Sequence, residues 1–149
     1  MIRLKSMRIR IIDNEIKIEE QVDKELKAKS PKIYLISKSK KILYVGITKQ
    51  SIITRLRIGE RAYKKPQNGY SGYKWLKENA IYDLSIVLFG DIIEDANLYL
   101  ETIEAEIAYL VRNIEGQWPG YQNEIHFHES NKAQRDISLE IVNSIINKK

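Results

Sequence analysis

Ile93, Ala96, Leu100, Ile103, Ile107, Leu110 and Ile114 recur at alternating steps of three and four, the apolar seam of an α-helix. No other period in the chain runs as long, and it constrains the fold most: a helix with one such face must bury it against a sheet or other helices. Gly116 supplies the stop.

The segments before this seam supply the sheet. KIYLIS and ILYVGI are rich in β-branched and aromatic residues and are joined by KSKK, a turn without glycine, so they read as paired strands. Residues 8–18, RIRIIDNEIKI, alternate apolar and charged residues about Asp13-Asn14 and read as a β-hairpin added to that sheet. EEQVDKELKAKS has helical propensity up to Ser30-Pro31. From the N-cap Ser51, IITRLRIGERAYKK reads as a helix with Ile52, Leu56 and Tyr63 near one face. PQNGYSG is a loop, YKWLKENA a short helix and IYDLSIVLFG a strand ending at Gly90. Past Gly116, QWPGYQNEIHFHES reads as a loop with room for a short strand, and KAQRDISLEIVNSIINKK as an amphipathic helix over Ile137, Ile141 and Ile145. Together these give an α+β fold: a small antiparallel β-sheet flanked by α-helices, with an N-terminal β-hairpin and a C-terminal helix.

Composition narrows the function classes. At 149 residues the chain is the size of one domain, and 43% hydrophobic with 30% charged residues is the balance of a globular protein. The absence of cysteine excludes disulfides, thiolate metal sites and cysteine nucleophiles, and suits a reducing compartment. No apolar run approaches the ~20 residues of a membrane span, and MIRLKSMRIRIID lacks the apolar block of a secretory signal, so a cytoplasmic protein without a membrane partner is expected. The net charge of +5 suits a polyanionic partner.

Several residues could carry chemistry. Paired about a turn centred near Ser39, the two strands would set Tyr34 directly opposite Tyr44 on one face. A satisfied buried hydroxyl accounts for either tyrosine alone, but two adjacent phenols make sense if one phenolate forms, its pKa lowered from near 10 by cationic surroundings. Gly46 ends the second strand where a backbone or ligand could approach closely. Arg55 lies one turn into the next helix as a phosphate clamp, with Arg57 and Arg61 as competitors and a solvated arginine as the plain alternative. The seam divides the acids of the long helix. Glu106 shares a flank with Tyr99, Thr102, Tyr109 and Asn113, whereas Glu101, Glu104 and Glu115 share the other with Asn97 and Ala108. Glu106, among hydrogen-bonding groups, is the better candidate to hold a hard divalent cation, typically Mg²⁺. His126 and His128, two apart, would face one way on a strand. Trp118 and Tyr121 read as core aromatics before base-stacking ones.

This set, KIY, ten residues on YVG, then Arg55, a helix carrying Glu106, and Asn123, resembles the GIY-YIG nuclease superfamily. In that family two tyrosines on neighbouring strands floor a phosphodiesterase site, an arginine follows on the first helix, a metal-binding glutamate lies on a later helix, and an asparagine closes the module. YVGITKQSIITRLR is similar to the glycine-to-arginine segment with one residue added, EAEIAYL to the glutamate with large apolar residues three and four positions on, and GYQN to the terminal Tyr-Asn with Gln122 inserted. Lys32 departs from the first motif's glycine. The resemblance covers residues 31–125, with 1–30 as an N-terminal extension and 126–149 as the C-terminal helix of a single domain.

The resemblance implies a Mg²⁺- or Mn²⁺-dependent endonuclease hydrolysing DNA. Tyr34, or Tyr44 beside it, would take a proton from the attacking water; Glu106 would hold the metal; Arg55 would offset phosphorane charge; Asn123 would fix the site. Gly46, Arg57, Lys64, His126 and His128 are candidate nucleic-acid contacts. The small size suits a restriction-type or mobile-element enzyme, and a double-strand cut would fit a homodimer. The alternative is a non-catalytic nucleic-acid-binding module with the same fold.

Overall fold

The computed structural model describes residues 2–67, 69–90, 95–122 and 125–147. Ile93 and Asn123 therefore lie outside the described residues. Five strands, β1 (Ile2–Ile12), β2 (Glu15–Ile18), β3 (Lys32–Lys38), β4 (Lys41–Thr48) and β5 (Ala80–Phe89), form one antiparallel sheet in the order β2-β1-β5-β3-β4. The helices are α1 (Lys24–Lys27), α2 (Ile52–Lys64), a 3₁₀ turn (Lys74–Lys77), α3 (Ala96–Glu115) and α4 (Lys132–Ile146).

β3, paired on both sides by β5 and β4, decides the layering. Lys32 to Ser37 are all buried, as expected of a strand covered on both faces. Its alternate residues divide the core: Tyr34 and Ile36 join a cluster with Tyr44, Leu56 of α2 and Trp75, whereas Ile33 and Leu35 join one with α3 and α4. The sheet is thus sandwiched, α2 and the 3₁₀ turn on one face and α3 with α4 on the other. The α3 seam buries Leu100, Ile103, Ile107 and Val111, at about 1.5–3 kcal/mol for each large apolar side chain removed from water. Ile114, expected in the seam, is 52% exposed; Val111 takes the inward place one turn earlier.

Two expectations of local structure are corrected. The helix expected over residues 19–30 shrinks to the single turn α1, since only Leu26 is buried and such a segment cannot sustain a longer helix. Its acids lie along β1 instead, Glu19 3.5 Å from Arg10 and Asp23 3.1 Å from Lys5. The β1 strand is longer than expected, starting at Ile2 and pairing with β5 from Ile2↔Phe89 to Ile11↔Ala80.

The second correction concerns register. The β3–β4 turn is not centred on Ser39: Ser39 and Lys40 both take positive φ, 52° and 67°, as Asp13 and Asn14 do in the first hairpin. A bulge between Ile36 and Ser37 then sets Ile36 opposite Tyr44 and Tyr34 opposite Gly46. The two tyrosines are diagonal neighbours on one face rather than directly opposed.

On each outer strand one residue is capped by a side chain that imitates a strand. At β2 the Ile16 N–H donates to Glu60 (2.8 Å) while Arg57 donates to the Ile16 carbonyl (2.8 Å). At β4 the Gln122 amide accepts from Val45 N–H (2.8 Å) and donates to Val45 C=O (2.9 Å). Such capping blocks edge-to-edge association.

The turn at Ser39-Lys40 stores strain that Asn-Gly would relieve. Ser39→Asn with Lys40→Gly is expected to raise the unfolding free energy by about 1–2 kcal/mol in urea denaturation. A loss of stability would show that the turn is of another type.

Candidate active site

Three phenols meet on the α2 face of the sheet. Tyr34 from β3 and Tyr44 from β4 have ring centroids 5.9 Å apart, and Tyr73, from the loop before the 3₁₀ turn, stands edge-on to both at 6.4 and 5.5 Å. Two glycines make the room. A Cβ on Gly46 would lie 2.5 Å from Cζ of Tyr34, and one on Gly59, inside α2, 2.0 Å from Cε2 of Tyr73. Gly46 thus accommodates Tyr34 rather than a ligand. Gly59 gives up about 1 kcal/mol of helix propensity to admit Tyr73's ring.

The hydroxyls form a directed chain. Tyr73 donates to the Arg55 carbonyl at 3.2 Å, so its 2.8 Å bond with Tyr34 has Tyr34 as donor. A carbonyl ends this chain, and a carbonyl cannot take up a proton, so the chain orients the phenols without draining charge from them.

The expectation that cationic surroundings lower a phenol pKa is corrected. Burial pushes Tyr34 well above its ordinary value, assisted by Tyr73, with Arg55 opposing. Burial likewise raises Tyr44 and Tyr73 against the pull of Arg55. Desolvation outweighs the single cation, and all three phenols are protonated at neutral pH.

Arg55, on α2, is the charged member. Its guanidinium lies 5.1 Å from the Tyr73 ring centroid and 5.5 Å from that of Tyr70, and one of its Nη atoms (Nη2) donates to the Tyr70 hydroxyl at 2.8 Å. Burial works to lower its pKa, the phenols and the Tyr70 bond work to raise it, and the latter prevail. The cation persists. The other, Nη1, is buried with no hydrogen-bond partner, and among the described residues no carboxylate pairs with this guanidinium.

Arg55 also borders a cleft of about 280 Å³ at the corner where β4 leads into α2, lined by Ile47, Thr48, Lys49, Gln50, and Asn97 and Leu100 of α3. This contact orients α3. At about 100° per residue, Glu104 lies within roughly 20° of Asn97 around the helix, whereas Glu106 lies about 180° away. Glu106 faces elsewhere, its carboxylate accepting from Ser130 at 2.7 Å. Glu104 and Glu106 thus share a helix that packs on the other face of the sheet from the phenols, with Glu106 on the flank away from Arg55's cleft. Glu104 makes no hydrogen bond to another described residue, and burial, then the nearby Glu101, push its pKa up to about 8.

The remaining candidates have other engagements. Arg57 is held by Ile16 and Glu60, and Lys64 by Glu15 at 3.1 Å. Residues 125–130 form no strand, so the argument that set His126 and His128 on one face lapses; His128 meets Glu101 at 3.1 Å. Lys32, in place of the family's glycine, is buried and donates to the carbonyls of Ala28, Ser30 and Gln50 at 2.7, 2.7 and 2.8 Å, tying the start of β3 to the link that leads into α2. Sequence reasoning missed Tyr73 and Tyr70. The one signal for Tyr73 was Gly59, a glycine in the interior of a helix.

No family model, curated protein or solved structure matches the chain.

A carboxyl whose pKa folding raises stabilises the native state only while protonated, so stability is full below the ordinary value of 4.5 and falls as pH rises toward about 8. Glu104→Gln is expected to flatten that fall in urea denaturation between about pH 5 and pH 8. Equal slopes for the two proteins would place the carboxyl in water.

Proposed function

We propose that the chain is a metal-dependent endonuclease acting on DNA, as its resemblance to the GIY-YIG nucleases implies. The observation that carries this reading is Arg55: a half-buried guanidinium with no carboxylate partner among the described residues, its buried Nη1 unsatisfied, set among phenols beside a cleft. Such a group is an anion seat, and a phosphodiester is an anion that a fork of N–H donors fits. Tyr34 and Tyr44 on neighbouring strands, followed by Arg55 on the next helix, agree with the arrangement that the resemblance implies.

The residues fit a divalent cation through Glu104 rather than Glu106. Glu104 lies one turn beyond Leu100, on the same flank of α3 as Asn97 of Arg55's cleft, and its carboxyl makes no hydrogen bond to another described residue, so a cation reaching it would relieve its desolvated charge. Among the described residues no three acidic or histidine side chains gather as a metal site. Mg²⁺ keeps most of its waters and needs only one or two carboxylates. When bound, it would supply a Lewis acid at the phosphate.

The chain's own groups then have distinct tasks. Arg55 would bind a non-bridging phosphate oxygen and gain as charge builds there. Tyr44, 6% exposed where Tyr34 is fully buried, is the phenol whose oxygen can orient an attacking water. With all three phenols protonated, none is a base at neutral pH. That observation favours a second reading, a nucleic-acid-binding module that does not cleave.

Nicking of supercoiled plasmid with Mg²⁺ or Mn²⁺ separates the two. Arg55→Ala and Glu104→Ala are expected to lower the rate by about a hundredfold or more, and Glu106→Ala to stay within about threefold of wild type. Loss on Glu106→Ala with none on Glu104→Ala would return the metal to Glu106. No cutting by wild type on any DNA form would favour the binder.

A further inference from the structure

We propose that the cleft at the C-terminal end of α2 is a subsite for one unpaired nucleotide of the nucleic-acid strand. This rests on the nuclease reading for its choice of polymer, but on separate residues for its site.

The cleft measures about 660 Å³, within the range of small-ligand sites, and is lined by Ile58, Arg61, Ala62, Lys64, Lys65, Gln67 and Tyr70. Its lining combines the apolar surface of Ile58, Ala62 and Tyr70 with three cations, Arg61, Lys64 and Lys65. Lys64 is engaged by Glu15, while Arg61 and Lys65 are exposed and stand in no ion pair among the described residues. A helix C-terminus attracts cations, which accounts for charge on the last turn. It does not account for the apolar surface of Ile58, Ala62 and Tyr70 in the same lining. Apolar surface together with cations is the chemistry that takes a base and its phosphate together.

Tyr70 ties this cleft to the Arg55 site. Its backbone is fixed by reciprocal bonds with Gln67, 3.1 and 2.9 Å, and its hydroxyl by Arg55 at 2.8 Å. The ring is therefore held in place before any ligand arrives, which lowers the ordering cost of stacking. It links the two clefts through Arg55, which borders the other one and packs 5.5 Å from the centre of this ring. A strand whose phosphate sits at Arg55 has its neighbouring nucleotide at this ring. The volume encloses one nucleotide, and stacking needs a free base face, so the nucleotide is unpaired.

The test is fluorescence anisotropy of a fluorescein-labelled oligothymidylate in EDTA, where no metal-dependent cutting occurs. Tyr70→Ala is expected to weaken binding about tenfold, and Tyr70→Phe, which keeps the ring, by no more than about threefold. Arg61→Ala with Lys65→Ala, both on the surface and so without risk to folding, is expected to reduce the slope of log affinity against log salt by about 1.4. The same oligonucleotide made abasic is expected to bind more weakly and to lose its sensitivity to Tyr70→Ala. Abasic binding as tight as that of the intact strand would overturn the stacked base, and an unchanged salt slope in the double variant would overturn the phosphate contacts. A wild type that nicks plasmid yet binds oligothymidylate independently of these residues would overturn the subsite and leave the nuclease reading standing. One that binds with these dependences and never nicks would support the subsite and overturn cleavage.

Discussion

Arg55 is a half-buried cation that no carboxylate among the described residues answers, and the arrangement around it follows from that. Burying a charge costs several kcal/mol unless something in the surroundings compensates. Here the compensation is partial: two ring faces, one phenol hydroxyl, and an Nη left without a partner. The aromatic wall is in turn made possible by absent side chains at Gly46 and Gly59, against which Tyr34 and Tyr73 lie. A fold selected for stability alone would place a methionine or leucine at this position.

The two-layer build of the domain gives the site its access. β3 sends its side chains alternately into two helical layers, so α2 brings Arg55 from one face and α3 closes the corner from the other with Asn97 and Leu100. The cleft opens past the end of β4, where the sheet edge stops. Side chains cap the edges at two points: Gln122 satisfies Val45 on one side, and the Arg57–Glu60 pair satisfies Ile16 on the other.

The strand runs KIYLIS and ILYVGI, the α3 period, the N-cap Ser51 and the C-terminal amphipathic helix were legible because each is written in local residue types and spacings. The register between β3 and β4 was not. A positive-φ turn at Ser39-Lys40 without glycine and a bulge after Ile36 leave no mark in composition, and together they move Tyr34 from opposite Tyr44 to opposite Gly46. The division of α3's acids into two flanks followed from 3.6 residues per turn. Which flank faces Arg55 did not, because it depends on where α4 packs, and that is a tertiary fact. The 19–30 segment shows the reverse failing: good helix formers with too little apolar surface to bury. Tyr73 was hidden because its partners are 18 and 39 residues away in the chain.

The measurement that reaches the central claim most directly is the stability of Arg55→Met with and without a nucleotide anion. Thermal unfolding in buffer alone is expected to show the variant as stable as wild type or more so, since an apolar chain of similar length replaces a poorly compensated charge. Adding thymidine 3′,5′-bisphosphate is expected to raise the midpoint of wild type and leave that of the variant unmoved. A variant that unfolds several degrees earlier, yet gains as much from the bisphosphate as wild type does, would show that Arg55 holds the fold together and does not receive a phosphate.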